Sequence, residues 1–204
     1  MRRVCPVVAR NTTHSWRWML PLAVALLVAG APGIGAGPVI VAFDMVGSSS
    51  QNLTSFVNPF DGAFASDADG FQKYQRFVTP SIPFAVLDDS LSIFPPDQLG
   101  IIKEGNVDVF FGAVDTENPD NSGPVSATWT FDVSSAVDGL MLSIDMGAMG
   151  DFESSDFFQW SYSVDGGSTM VAFASSVDEA GSHTYVLEGG TVVVISSDAA
   201  VERY

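Results

Sequence analysis

The amino-acid sequence predicts an all-β fold: a jelly-roll-like antiparallel β-sandwich preceded by an N-terminal signal peptide. Three observations carry this prediction. Apolar and polar residues alternate through much of 127–190, the period of half-buried strands. Turn signals such as Asp165-Gly166-Gly167-Ser168 and Gly189-Gly190 separate the runs, at roughly the 8–12-residue spacing of sandwich strands. No helical run of convincing length follows residue 80.

The N-terminus reads as an export signal. Arg2, Arg3, Arg10 and Arg17 precede an apolar run over Met19–Ala31, and small residues follow at Gly33, Gly35, Ala36 and Gly37. Basic, apolar and small-residue regions in that order define a signal peptide. The predicted division is residues 1–36 as signal and 37–204 as one β-sandwich module, secreted to the extracellular side. The competing reading is a membrane anchor. No charge occurs from Trp18 to Phe43, and about 20 apolar residues span a bilayer. However, Pro21, Pro32 and Pro38 interrupt that stretch. Membrane association is therefore expected only if the segment is retained.

The strands follow in order. Pro38–Met45 (PVIVAFDM) is the first predicted strand of the module, and Gly47–Gln51 is a serine-rich turn. Phe71–Thr79 fits a helical face about as well as a strand, until Pro80 ends it. Ile82–Leu87 and Leu91–Phe94 are short strand candidates, and Val107–Val114 is a clear one. Asp115–Pro124 is a polar loop. Then Ala127, Trp129, Phe131 and Val133 share one face, as do Leu140, Leu142, Ile144 and Met146. Phe158, Trp160, Tyr162 and Val164 form a third such set, and Met170–Ser175, His183–Leu187 and Thr191–Ser197 complete the series.

Charge narrows the partners. The chain carries a net −16, and every acidic residue lies at or after Asp44. Without the first 36 residues, four Lys and Arg remain against 24 Asp and Glu, a net of −20. Such a body repels phosphate backbones, so this domain alone is not expected to bind nucleic acid. Cys5 is the single cysteine and falls in the signal region. The module therefore depends on its core, with a bound metal as a further brace.

The segments TWTFDV, SIDMGAMGDFE, WSYSVDGG, AFASSVDEAGS and YVLEGG, with FFGAVDTEN upstream, span roughly residues 107–195. They resemble an accessory module of large secreted bacterial proteins, among them extracellular endonucleases and lamin-tail-domain-containing proteins. Gly147–Glu153 is the most specific part of that resemblance. It implies a jelly-roll-like sandwich without catalytic residues of its own, since catalysis in such proteins lies in other domains. Such modules usually continue for several more strands, so the resemblance implies a C-terminus truncated after the final strands.

The candidate sites are few. Asp115, Glu117, Asp120 and Asn121 crowd one loop, and Asp151, Glu153 and Asp156 form a second cluster. Closely spaced carboxylate and amide oxygens suit calcium, which takes about six to eight oxygen ligands. Solvated acidic loops are the plainer reading, and neither cluster has the spacing of the helix-loop-helix calcium motif. Trp129 and Trp160 fall on the apolar face and belong to the core. Phe157 alternates to the other side and is the candidate ligand contact, of the kind that stacks on a sugar ring. His183 is the one histidine outside the signal region, and no Gly-x-Ser-x-Gly occurs.

The expected function is a non-catalytic binding or adhesion module, directed at cell-surface glycan or protein and steadied by calcium. The alternatives are a purely structural or assembly domain of a larger secreted protein, and a carboxylate-dependent hydrolase, either a glycosidase or nuclease-associated.

Overall fold

The computed structural model describes residues 4–12, 22–28, 39–64, 69–83, 106–136, 139–146, 157–178, 182–186, 192–196 and 200–203. In chain order the strands are β1 (Val4–Thr12), β2 (Leu22–Val28), β3 (Val39–Val46), β4 (Ser49–Gln51), β5 (Leu53–Val57), β6 (Gly70–Tyr74) and β7 (Phe110–Val114). They continue as β8 (Val125–Asp132), β9 (Leu140–Met146), β10 (Phe157–Tyr162), β11 (Met170–Asp178), β12 (Ser182–Val186), β13 (Val192–Ser196) and β14 (Ala200–Arg203). Among the described residues there is no helix, and the strands pair antiparallel. The all-β expectation is therefore met.

One sheet runs β14-β11-β10-β1-β8-β5 and another β4-β3-β2-β9, with β6-β7 and β12-β13 as separate pairs. The stretch expected to be a signal peptide thus supplies two interior strands: β1 lies between β8 and β10, and β2 between β3 and β9.

The alternating pattern places the core. On β8 the residues Val125, Ala127, Trp129 and Phe131 are buried, while Ser126, Thr128, Thr130 and Asp132 are half-buried. On β9, Leu140, Leu142 and Ile144 pack against the same core, and Met141 turns outward. Trp129 is its centre, with ring centroids of Phe56, Phe111 and Trp160 at 4.8, 5.1 and 5.7 Å. Aromatic pairs at these separations add to the burial of their large apolar surfaces.

Turn chemistry matches the chain's direction changes. Asp165 and Gly166 both have positive φ, and Gly167 N–H donates to Val164 O at 2.9 Å. This is the hairpin the Asp-Gly dipeptide predicts. Gly47 and Ser48 likewise take positive φ between β3 and β4. There Phe43 faces Gln51 and Val46 faces Ser49, so Asp44 and Met45 together oppose Ser50 alone. That is a β-bulge, with Met45 at φ 60°. Both bulged residues turn into the protein and are buried.

The ambiguous stretch after Phe71 is a strand only as far as Tyr74, in β6. Its periodicity was obscured because β6 and β7 are covered on both faces, as their burial shows. Phe71 and Lys73 take one face and Gly70, Gln72 and Tyr74 the other. Tyr74 lies across backbone that only glycine leaves open. A Cβ on Gly112 would stand 2.9 Å from the Tyr74 ring, and one on Gly70 would overlap its hydroxyl. Of the two short strand candidates after Pro80, Ile82 and Pro83 are irregular, and the remainder lies outside the described residues. At the other end β14 pairs with β11.

Burial raises the Tyr74 hydroxyl above its ordinary range; a Gln72 hydrogen bond opposes this, and Asp61 and Asp69 add to it. A phenol raised on folding stabilises the native state below its unfolded pKa and loses that contribution as pH rises. The denaturant midpoint should therefore fall above about pH 10, and Tyr74→Phe should flatten that alkaline decline. An equally steep decline in the variant would refute the assignment.

Candidate functional site

A buried polar cluster sits inside the aromatic core. The β3 bulge aims Asp44 inward, where its residue is 4% exposed. Trp129 Nε1–H donates to Asp44 Oδ2 at 2.8 Å. Lys73 Nζ donates to the same oxygen and forms an ion pair with it. The Lys73 Nζ also lies 4.4 Å from the centroid of the Phe56 ring, within cation–π range. Lys73 reaches this place because strand alternation puts it beside Phe71, on the face shared with Phe111 across the β6–β7 pair.

Each group answers a cost set by another. A buried carboxylate without partners is expensive, and a charge-assisted bond from lysine together with an indole N–H offsets that cost. The indole needs an acceptor when fully buried, and Asp44 provides it. The cluster thereby joins β3, β6 and β8, which belong to three different sheets. Asp44→Ala would leave Lys73 and the Trp129 N–H without their acceptor. The expected loss is about 3 kcal/mol, near the lower end for a broken buried pair because Lys73 is partly exposed. Chemical denaturation reads it, and a loss under about 1 kcal/mol would contradict the role given to Asp44.

The loop of Asp115, Glu117, Asp120 and Asn121 is braced by its own amides. Asn118 Nδ2 donates to Asp115 O, and Asn118 Oδ1 accepts from the backbone N–H of Asp120 and Asn121. Asn121 Nδ2 donates to both Thr116 O and Gly123 O at 2.6 Å. Three carbonyls of this loop, those of Asp115, Thr116 and Gly123, therefore face an amide. Among the described residues, no three His, Cys, Asp or Glu side chains converge as a metal group. Asp151, Glu153 and Asp156 lie outside the described residues.

Phe157 is placed by backbone alone, opposite Thr12 in the β1–β10 register. Farther along its side of the strand, Gln159 is half-buried and Ser161 buried, with Gln159 Nε2 donating to Ser161 Oγ at 2.7 Å. His183 faces Ile195 in the β12–β13 pair.

A different aromatic stands out in water. Just beyond β6, Val78 N–H donates to Gln75 O at 3.3 Å, closing a turn over Arg76 and Phe77. Phe77 occupies the third position of that turn with φ 63°, and it is 96% exposed. Positive φ at that position calls for glycine, and a bulky residue there is strained. Val78 beside it is exposed as well.

Sequence reasoning passed over Asp44, Lys73 and Phe77. The signal for the first two was present: an acid interrupts the apolar run of β3, and Lys73 is one of only four basic residues after position 37. A lone acid and a scarce base, each inside an apolar strand, are natural partners. Phe77 left no comparable trace, since nothing in the residue types specifies a left-handed turn.

No family model, no curated protein and no solved structure matches this chain.

Proposed function

We propose that the chain is an exported, non-catalytic binding or adhesion module whose sheets close into a jelly-roll-like β-sandwich. Its partner is a glycan or protein at a cell surface, and calcium taken up by the acidic loops steadies the module. The reading keeps the accessory-module role that the sequence resemblance implies. Phe77 carries it. Neither packing nor backbone propensity accounts for a large aromatic held in a strained turn and left in water, whereas contact with a partner accounts for both. Aromatic rings of this kind stack on sugars or fill protein pockets. The buried Asp44–Lys73 pair fits the same reading, because its groups are spent on holding the core.

Phe77→Gly separates binding from folding. Glycine relieves the positive φ, so stability should rise by about 1 kcal/mol. Affinity for a surface glycan or cell-envelope preparation should fall about tenfold or more. Calcium should raise the melting temperature of the wild-type protein, because a ligand of the folded state alone must do so. Unchanged affinity in the variant would overturn the role of Phe77. Self-association without any ligand would instead support a structural, assembling domain.

A further inference from the structure

We propose that Asp44 and Lys73 condense into an intramolecular isopeptide bond, tying β3 covalently to β6. The amine and the carboxylate touch directly, on side chains 27% and 6% exposed respectively. Both sit on strands, so the pair is presented by rigid elements rather than loops. Reacting groups held in contact in this way act at effective molarities of about 10⁵–10⁸ M. Phe56 lies against the Lys73 Nζ, and Phe71 and Phe111 share its face of the β6–β7 pair. These rings limit the water that could compete with the amine or reverse the reaction.

Trp129 supplies the polar element that such a step needs. Its Nε1–H is fixed on Asp44 Oδ2 at 2.8 Å, so it can stabilise negative charge on that oxygen as Nζ adds to Cγ. The balance closes within the pair. A proton passes from Nζ to the carboxylate, and the resulting amine attacks Cγ. The Nζ–Cγ bond forms and the Cγ–Oδ1 bond breaks. Oδ1 leaves as water with two of the three ammonium hydrogens. Oδ2 remains as the amide carbonyl, still accepting from Trp129. The conversion exchanges an ion pair for a neutral amide and uses no oxidant or cofactor. Since Cys5 is the chain's only cysteine, this is a route to a covalent tie that needs no disulfide.

Mass spectrometry of the denatured protein tests it. The wild-type chain should weigh one water less than its sequence, and Lys73→Arg should have its full mass. Trypsin should fail to cut after Lys73 and continue to Arg76. A protease that cuts after aromatic residues should release a branched peptide, because Phe56, Phe60, Phe64 and Phe71 lie between the joined residues. Full mass in the wild type, with cleavage after Lys73, would overturn the proposal even if the variant did not fold. So would a missing water that persists in Lys73→Arg, which would trace to cyclisation at an aspartyl-glycine pair such as Asp61-Gly62.

Discussion

A carboxylate inside an aromatic core constrains everything around it. Asp44 can be buried only because Lys73 and the Trp129 indole both reach one of its oxygens. Those two groups come from β6 and β8, so the requirement fixes three strands of separate sheets against one another. Apolar packing alone tolerates sliding, since one methyl replaces another at small cost. A buried acid does not, because displacement leaves a donor or an acceptor unpaired in a medium of low dielectric. The cluster therefore specifies which arrangement of sheets is native, while the surrounding rings and aliphatic side chains supply the apolar burial.

Local backbone features deliver the three side chains to that point. The β3 bulge turns Asp44 and Met45 inward together, where a regular strand would have sent one of them out. Alternation along β6 sets Lys73 beside Phe71 and consigns Tyr74 to the other face. There Tyr74 needs the bare backbone of Gly70 and Gly112. The loop before β6 is fastened to it by Asn58 Nδ2 on Phe71 O and by Gly62 N–H on Gln72 Oε1. Gln72 also bonds to the Tyr74 hydroxyl, so the loop, the strand and the buried phenol share one network.

The sequence made the alternating half of this fold readable. On β8 and β9 the period of two was clean because one face is more deeply covered than the other, and the bounds of β9 were those expected. It failed on β6, where burial on both sides erases the period and leaves a run that suits a helix equally, whereas β7, covered in the same way, stayed readable through the valines and phenylalanines of Val107–Val114. The candidate site was less readable still. Acidic clusters in loops attract attention by composition, yet the Asp115–Asn121 loop turns its amides on its own carbonyls. The consequential acid is isolated in an apolar strand, and its meaning depends on a lysine 29 residues away. Phe77 depends on a dihedral angle that residue types do not encode.

The N-terminal strands set a physical condition on any removal of residues 1–36. β8 and β10 both run antiparallel to β1, so they are parallel to each other and about two strand spacings apart, near 10 Å. β3 and β9 stand in the same relation across β2. Removal of residues 1–36 would leave four strand edges without partners, two of them beside the Trp129 and Trp160 rings. Unpaired edges next to apolar surface are templates for pairing with another strand. They close on each other or take up another extended segment. Closure would bring β8 and β10 together as a parallel pair, drawing Trp129 and Trp160 with them. The position of Asp44 would be tested twice in that event, once through β2 as its neighbour and once through Trp129 as its donor. A covalent Asp44–Lys73 bond would hold β3 to β6 through such a rearrangement, which is where a cross-link contributes most: it keeps strands from parting while the hydrogen bonds beside them are exchanged.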